Sequence, residues 1–258
     1  AMLAADFPSV QVIANRTNRG FAAANNQGIE QARGRYLLLL NSDTLAAQDA
    51  LARLVEFMDA HPGAGACGPQ LRNIDGTLQP SGRAFPTTAQ AIIALLPMPG
   101  GLRRALANPL ERRDYGWPTE VDEVSGAALC LRRAAIEQAG RLDEDFVFLG
   151  EDVDICWRLH RAGWKVFYVP QAVITHAWGA SRARLAERTS LLAQRAYVLL
   201  FTKHKPGARA TLIRGMAFVL TIMKGVNRTL ISLLRGDRRA AIASLRLHLD
   251  ELAWLLQE

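Results

Sequence analysis

The most distinctive hydrophobic run in the chain is Tyr36–Leu40, five consecutive apolar residues. The run is too short for a globular helix and is typical of a β-strand buried on both faces, in the middle of a parallel sheet. The sequence then turns polar, with Asn-Ser-Asp-Thr over residues 41–44. Ligands of open α/β sheets bind beyond the carboxyl ends of the strands, so Asp43 is placed to hold a divalent cation. The alternative is a turn in which Asn41 and Asp43 cap a helix that begins near Leu45.

The pattern around this run predicts an α/β fold. Apolar residues at helical spacing predict helices over Phe21–Ala32, capped by Gly34, and over Leu51–Ala60. Val10–Ala14 and Ala64–Gly68 read as short strands, and a hairpin turn is expected at residues 75–76, Asp-Gly. Because strand, helix and strand follow one another from Val10 onward, the two strands should be parallel with a right-handed crossover.

The second half of the chain alternates in the same way. We predict an ordered segment over Val121–Arg133 and a helix from Gly150 to about Ala162. Two strands should follow, at Lys165–Val169 and at residues 172–175, and the second delivers His176. Residues 79–115 are rich in Pro and Gly, and a mobile loop over a site and an irregular surface excursion both remain open for them.

The composition is that of an ordinary globular protein, but the charged residues are unevenly distributed along the chain. Half of the 258 residues are hydrophobic and 21% are charged. Cys67, Cys130 and Cys156 are expected to be reduced core residues of a cytosolic protein, and residues 1–10 show no secretory signal pattern. The net charge is +7, but residues 180–258 carry 14 Lys/Arg against 5 Asp/Glu. A basic tail indicates an anionic partner, either nucleic acid or an anionic membrane.

Acidic residues are most concentrated between Asp143 and Asp154, where six carboxylates occur in twelve positions. Carboxylates at a helix start oppose the macrodipole, and each contributes roughly 0.3–1 kcal/mol. Capping alone does not explain both Asp152 and Asp154, which cannot share a helix face. Their mutual repulsion favours a functional use, by a cation or a reacting hydroxyl. Taken alone, His176 is best explained as a structural histidine. Together with one or two carboxylates it would form a ligand set suited to manganese or magnesium.

Five motifs in this order resemble family 2 glycosyltransferases, and most closely the bacterial rhamnosyltransferase and galactofuranosyltransferase branch. They are Asn18-Arg19-Gly20-Phe21-Ala22-Ala23-Ala24-Asn25-Asn26, Leu40-Asn41-Ser42-Asp43, Ser125-Gly126-Ala127, Glu151-Asp152-Val153-Asp154-Ile155-Cys156-Trp157-Arg158 and His176. The resemblance implies a GT-A fold, a Rossmann-like mixed sheet flanked by helices, with a nucleotide-binding half and an acceptor half. It also implies inverting transfer of a sugar from a nucleotide-diphosphate sugar (dTDP- or UDP-linked), with Mn²⁺ or Mg²⁺, to a glycan or polyprenyl-linked acceptor.

The resemblance also assigns roles to residues. Asp43 takes the place of the metal-binding carboxylate of the DxD motif, with Asn41 at its first position, and His176 completes the metal site. Asp152 matches the catalytic base. The donor is expected to meet Asn18, Gly20, Asn25, Asn41 and Asp43, and the acceptor side Gly126, Ala127, Glu151, Trp157 and Arg158, although Trp157 suits a core equally well.

The family begins with a strand-helix-strand unit ahead of the position that matches Val10, and only nine residues precede it here. The resemblance therefore implies an N-terminally truncated GT-A-like domain at residues 1–182. The alternative function is a truncated, non-catalytic remnant that binds glycan or membrane.

The tail, residues 183–258, is expected to be a separate helical extension, with helices at Ala208–Leu234 and Arg238–Leu256. The first is a basic amphipathic helix typical of a membrane interface. Its longest uncharged run is nine residues, too short to span a bilayer, which needs about 20. The expected location is cytoplasmic, peripheral on the inner face of the bacterial plasma membrane. Packing on the body or on a second subunit, as in a homo-oligomer, is the alternative. Nucleic acid is not expected, because stacking aromatics are lacking.

Overall fold

A mixed β-sheet flanked by helices forms the body of the protein, in a computed structural model that describes residues 5–96, 116–177 and 186–257. The strands are β1 (Tyr36–Leu40), β2 (Thr44–Ala46), β3 (Ala64–Arg72), β4 (Leu78–Gln79), β5 (Gly82–Arg83), β6 (Thr119–Val121), β7 (Glu123–Val124), β8 (Ala128–Arg132) and β9 (Lys165–His176). The helices are α1 (Phe21–Gln31), α2 (Ala50–Ala60), α3 (Thr88–Leu95), α4 (Arg133–Ala139), α5 (Glu151–Arg161), α6 (Ala186–His204), α7 (Ala208–Leu234) and α8 (Arg238–Gln257). This architecture confirms the predicted α/β class.

The strand order of the main sheet is β1-β8-β3-β9-β2, with β4 added beside β3 and β6 beside β9. β3 and β9 are parallel, whereas the β1–β8, β3–β8 and β2–β9 pairs are antiparallel. β1 therefore ends this strand order, and its place in the middle of a parallel sheet was wrongly predicted. Its side chains alternate between two cores: Leu37 and Leu39 pack on one face, and Leu38 on the other. An apolar run reports burial on both faces but not the direction of the neighbouring strand.

The predicted strand at Val10–Ala14 is wrong, and with it the parallel β-α-β unit. Residues 11–15 have no regular secondary structure, and the side chains of Val10, Val12 and Ile13 are exposed. Apolar residues form a strand only where a partner strand and a core receive them. Gly34 is not the cap of α1 either, since that helix ends at Gln31 and Ala32 is already extended.

Two further predictions of local structure change. Asn41 and Asp43 do not cap a helix, because β2 follows them and pairs with β9. The two strands predicted between Lys165 and Thr175 form one strand, interrupted by a register shift opposite Pro69 and Gln70. The hairpin turn is confirmed: Gly76 has a φ of +80°, and the N–H of Asn73 donates to the carbonyl of Thr77. Residues 97–115, part of the Pro- and Gly-rich segment 79–115, lie outside the described residues.

Within residues 5–96, 116–177 and 186–257, the buried apolar side chains form three clusters. One lies on the α1, α4 and α5 side of the sheet and includes Leu129 and Ile155, and a second lies on the α2 side and includes Leu54 and Met58. All three cysteines are free and buried, as predicted. The third cluster joins Val153 of α5 to apolar residues of α3, α6, α7 and α8. The basic tail is thus packed against the helix that carries the acidic motif.

Helix α7 buries only one of its faces, formed mainly by small residues. Ile213, Ala217, Leu220 and Gly225 are buried, and a Cβ at Gly225 would come within 2.9 Å of the His248 side chain of α8. By length and composition α7 is apolar enough to cross a membrane, contrary to the sequence expectation, with a mean hydropathy of 1.4 over its most apolar window. Only 22% of that window is buried in the protein.

Candidate active site

The site begins where β1 leaves the sheet. The backbone N–H of Asn41 donates to the carbonyl of Ala127 over 3.0 Å, one residue beyond the last β1–β8 pair, Leu40 with Ala128. The turn that follows carries Asp43 and leads directly into β2. Antiparallel pairing therefore places the Asn-Ser-Asp turn beside the Gly126-Ala127 segment.

Asp43 and His176 meet because β2 and β9 pair at that point. Thr44 lies opposite His176, and the N–H of Ala177 donates to the carbonyl of Asp43. The Asp43 Oδ1 and His176 Nε2 atoms are 3.3 Å apart, and the Asn41 side-chain amide is 3.4 Å from the same His176 nitrogen. The imidazole is buried and the carboxylate is 38% exposed, so the pair sits at the surface of the site.

The orientation of His176 is fixed by a chain of hydrogen bonds from the hairpin. The Gln79 side-chain nitrogen donates to Asn73 Oδ1 (2.9 Å), which turns the Gln79 Oε1 atom toward His176 Nδ1 at 2.7 Å. That contact requires a proton on Nδ1, so in the neutral ring Nε2 directs a lone pair at Asp43. The Asn41 amide, 3.4 Å from Nε2, can donate to this lone pair, and a cation bound here would contact both Nε2 and the Asp43 carboxylate oxygen 3.3 Å from it.

These donors fit a divalent cation. A carboxylate oxygen, an imidazole nitrogen and a nearby amide are ligands that Mn²⁺ accepts, and a partner on the second histidine nitrogen is the usual outer contact of such a ligand. Within the described ranges, no third His, Cys, Asp or Glu joins Asp43 and His176. A cation held here would complete its coordination with water or with oxygens of a bound phosphate, as Mg²⁺ commonly does.

Asp152 lies on the other side of the Gly126-Ala127 segment. Its Oδ2 atom accepts the N–H of Gly126 (2.9 Å), and its Oδ1 atom accepts the N–H of Val153 (2.9 Å). The Arg83 guanidinium is 3.9 Å away. A Cβ at position 126 would come within 3.2 Å of the Asp152 Cβ, so the glycine permits this close approach. The predicted base is therefore joined to the Asp43 turn through Gly126, Ala127 and Asn41.

Residues 79–83 border both halves of the site. Gln79 orients His176, the carbonyl of Ser81 accepts the N–H of Ser125 (2.8 Å), and Arg83 pairs with the buried Glu123 (2.7 Å). Local sequence patterns do not identify these residues, because their segment is irregular. The one available signal was the hairpin turn before them, which brings Gln79 back beside β3.

Glu151 precedes Asp152 and has a different environment. It is 7% exposed, and its Oε2 atom has no hydrogen-bond partner among the described residues. Burial, together with the charge of Asp152, raises the pKa of Glu151 to about 8. Near neutral pH this carboxyl group is therefore mostly protonated, which spares the site two adjacent charges.

Asp154 faces away from Asp152, as predicted, and holds the tail. It is 1% exposed, pairs with Arg158 (2.7 Å) and contacts His204 Nε2 of α6 (2.7 Å). Burial raises the pKa of Asp154, but the bonds from His204 and Arg158 outweigh it, so the pKa lies below its ordinary value. Arg158 also donates to the carbonyls of residues 139–141, so its guanidinium is engaged within the protein.

The remaining predicted residues make local contacts. Trp157 is stacked between Phe85 (4.1 Å between ring centroids) and His204 (4.7 Å). Asn18 Oδ1 accepts the N–H of Gly20, and the Asn25 amide donates to the carbonyl of Phe21 within its own helix. A Cβ at Gly20 would lie 3.1 Å from the Val147 carbonyl, so this donor-side motif borders the loop before α5.

Comparison with known families gives a match over most of the sheet-bearing part. The model of Glycosyl transferase family 2 matches residues 1–139. The chain is 29% identical over 226 residues to an N-acetylglucosaminyl-diphospho-decaprenol L-rhamnosyltransferase of Mycobacterium tuberculosis, covering 80% of this chain and 71% of the relative. It is 29% identical over 158 residues to a poly-beta-1,6-N-acetyl-D-glucosamine synthase of Staphylococcus aureus, covering 60% of this chain and 34% of that relative.

The fold is similar to that of a solved glycosyltransferase. The structure of GalNAc-T7 with UDP, GalNAc and Mn²⁺ superimposes with a TM-score of 0.51 at 15% identity, over 96% of this chain and 44% of the other. At this identity the likeness shows the fold alone. It confirms the GT-A architecture expected from the motifs.

Titration of Glu151 should be visible in stability. The pKa of Glu151 is raised to about 8 from an ordinary 4.5, so ionisation of this group destabilises the folded state. The loss of stability is absent below about pH 4.5 and complete above about pH 8. Relative to Glu151→Gln, the parent protein should lose at least about 1 kcal/mol of unfolding free energy between about pH 5 and pH 8. Urea unfolding at several pH values measures this. Glu137→Gln, at an exposed site on α4, is the control, and a pH-independent difference for Glu151→Gln would contradict the assignment.

Proposed function

The chain belongs to Glycosyl transferase family 2, and we propose that it transfers a sugar, with inversion, from a nucleotide-diphosphate sugar to a hydroxyl of a lipid-linked or cell-envelope glycan. One observation carries the proposal. Asp152 and the Asp43–His176 pair are linked through one short segment, in which the Gly126 N–H donates to Asp152 and the Ala127 carbonyl accepts the N–H of Asn41. Inverting transfer needs a base and a phosphate-binding group close together, and these residues supply both.

Asp152 is the proposed base. An ionised carboxylate has about four acceptor positions, so its bonds to the N–H groups of Gly126 and Val153 leave room for a substrate hydroxyl. The same two bonds fix its orientation. The acceptor hydroxyl would lose its proton to Asp152 as it attacks the sugar carbon from the face opposite the departing diphosphate. Gly126 and Ala127, beside the base, would border that hydroxyl.

Asp43 and His176 are the proposed holders of Mn²⁺ or Mg²⁺, with Asn41 beside them. A bound cation would supply Lewis-acid stabilisation of the negative charge that develops on the leaving diphosphate. Gln79 keeps His176 in the tautomer whose Nε2 atom carries the lone pair for that role. Asn18, Gly20 and Asn25 remain proposed contacts of the donor.

The substrate classes are proposed from the relatives. The name of the mycobacterial relative describes an acceptor that is a sugar diphospho-decaprenol, and a rhamnosyl group as the one transferred. A polyprenyl-linked glycan acceptor and a dTDP- or UDP-linked donor are therefore proposed for this chain.

Removal of the proposed base should abolish most transfer. Asp152→Asn keeps the shape, but its single side-chain oxygen can accept only one of the two backbone N–H bonds. It also cannot accept the proton, so kcat should fall by about 10²–10⁴-fold. The measurement is sugar transfer from radiolabelled nucleotide sugars to a polyprenyl-linked acceptor. Asp250→Asn, at an exposed position of α8, is the matched control and should retain activity. A fully active Asp152→Asn enzyme would remove Asp152 from this role.

Cation binding should depend on the Asp43–His176 pair and on its support. In calorimetric titration with Mn²⁺, Asp43→Asn and His176→Ala should lose binding, and Gln79→Leu should raise the Kd by about tenfold because His176 loses its orienting partner. Gln48→Leu, at an exposed position, is the control. Unchanged Mn²⁺ affinity in Asp43→Asn and His176→Ala would show that the cation binds elsewhere.

We also propose that the tail attaches the enzyme to an anionic membrane, at the inner face of the plasma membrane. An exposed row along α7, here called the α7 apolar face, follows the spacing of a single helix face and consists of Leu212, Val219, Met223, Val226, Leu230 and Leu233. The body covers a different side of the helix. Exposed arginines near its ends, including Arg209, Arg235 and Arg238, match the charge of anionic headgroups.

Vesicle flotation tests this attachment. The protein should float with phosphatidylglycerol vesicles at low salt, and added salt should weaken the binding. Met223→Glu/Leu230→Glu should abolish it, whereas Ile242→Glu/Leu249→Glu, at exposed positions of α8, should not. Absence of flotation by the parent protein would refute the proposal. If Met223→Glu/Leu230→Glu instead changes the sedimentation of the protein without vesicles, the face contacts a second copy.

A further inference from the structure

A cavity of about 260 Å³ lies between the loop that precedes α5 and the tail helices α6 and α8. Loop residues 144–149 form one wall, and side chains that include Leu192, Leu199 and Trp254 form the other. From this cavity we infer that the tail helices provide a binding subsite for one sugar ring of the acceptor. This inference deepens the proposed function and rests on it, because only a sugar transferase has an acceptor.

The lining combines apolar rings with charged groups. Phe148 and Trp254 offer aromatic surface, and Glu144, Asp145 and Arg195 offer charge. One face of a pyranose ring presents mostly C–H groups, which pack on an aromatic ring, while its hydroxyls both donate and accept hydrogen bonds. Carboxylates accept from such hydroxyls and a guanidinium donates to them. A wall with both features matches a neutral sugar.

Other ligand classes fit less well. A phosphate or diphosphate would meet two carboxylates, Glu144 and Asp145, and the nearby cations are already paired. Arg195 pairs with Glu251 at 2.6 Å, and Lys203 pairs with both Asp143 and Asp145. A lipid chain would bury three charged side chains without hydrogen-bond partners of its own. The volume lies just below the roughly 300–1,000 Å³ of sites for drug-sized ligands, so it suits a single ring.

The polar group of the cavity is held in place before any ligand binds. Arg195 donates to Glu251, which is buried, and its guanidinium carbon lies 4.8 Å from the centroid of the Trp254 ring. A planar donor fixed in this way loses little conformational entropy on binding. Arg195 of α6 is thus joined to Glu251 and Trp254 of α8 in the wall that faces the loop.

The cavity adjoins the helix of the proposed base. Phe146 and Ala196 both line it, and both pack against Gly150, where a Cβ would come within 2.8 Å and 3.2 Å of them. Asp152 follows two residues later. A sugar bound in the cavity would therefore lie at the start of α5, where it can belong to the acceptor chain whose other end meets Asp152.

The experiment uses methyl N-acetyl-β-D-glucosaminide as the probe, because it is a neutral glycoside with a single pyranose ring, the ligand class that fits the cavity of about 260 Å³. Binding to the full chain is followed by tryptophan fluorescence and by saturation-transfer NMR, without any donor. Trp254→Leu should raise the Kd by about tenfold, because an aromatic contact is worth up to roughly 1.5 kcal/mol. Trp254→Phe should bind nearly as the parent does. Trp117→Leu, whose side chain is 70% exposed, is the matched control.

Phe148→Leu gives a second test if Trp254→Leu proves unstable in thermal unfolding, and it should weaken binding in the same direction. The inference is overturned if the parent shows no saturable binding, or if Trp254→Leu and Phe148→Leu, both folded, bind as the parent does. It is also overturned if inorganic pyrophosphate, and not the glycoside, binds in a manner that depends on Trp254.

The same titration separates this inference from the proposed function. Asp152→Asn should bind the glycoside as the parent does while transfer is lost. Glycoside binding that depends on Trp254 in a protein without transferase activity would keep the subsite and remove the function. Transfer without such binding would do the reverse.

Discussion

The hydrogen bond from the Gly126 N–H to Asp152 joins the sheet to the helix that carries the proposed base. The absence of a side chain at residue 126 favours this bond, because a Cβ there would lie 3.2 Å from the Asp152 Cβ and would crowd it. On the sheet side, Ala127 next to it accepts the N–H of Asn41, and the Asp43 turn starts there. Both halves of the site therefore depend on one short segment between β7 and β8. A displacement of this segment would move the proposed base and the proposed cation ligands together.

Helix α5 serves two surfaces through neighbouring acidic residues. Asp152 faces the site, while Asp154, one residue beyond Val153, is buried with Arg158 and His204. A buried charge is costly unless it is paired, so the His204 contact fixes the end of α6 against α5. The tail helices are thereby part of the scaffold of the site, and the predicted boundary near residue 182 lies among residues outside the described ranges.

The adjacent carboxyl groups of Glu151 and Asp152 have different surroundings. Glu151 is buried without a full set of partners, and its pKa is raised to about 8, whereas Asp152 accepts two backbone N–H bonds at the edge of the site. Divergent environments of this kind allow one group to stay neutral while its neighbour carries the negative charge that a base requires.

Local patterns in the sequence were enough to predict the helices α1, α2, α5, α7 and α8, the hairpin turn and the α/β class, and to select Asp43, Asp152 and His176 as candidates, because periodicity and short motifs are local signals. Three features depend on long-range contacts instead. They are the antiparallel direction of the strand beside β1, the absence of a strand at residues 10–14, and the contacts of Gln79, Arg83 and His204. His204 contacts Asp154, 50 positions away, and Gln79 contacts His176, 97 positions away. No local pattern encodes such a partner. Burial can be read from apolar runs, but pairing cannot.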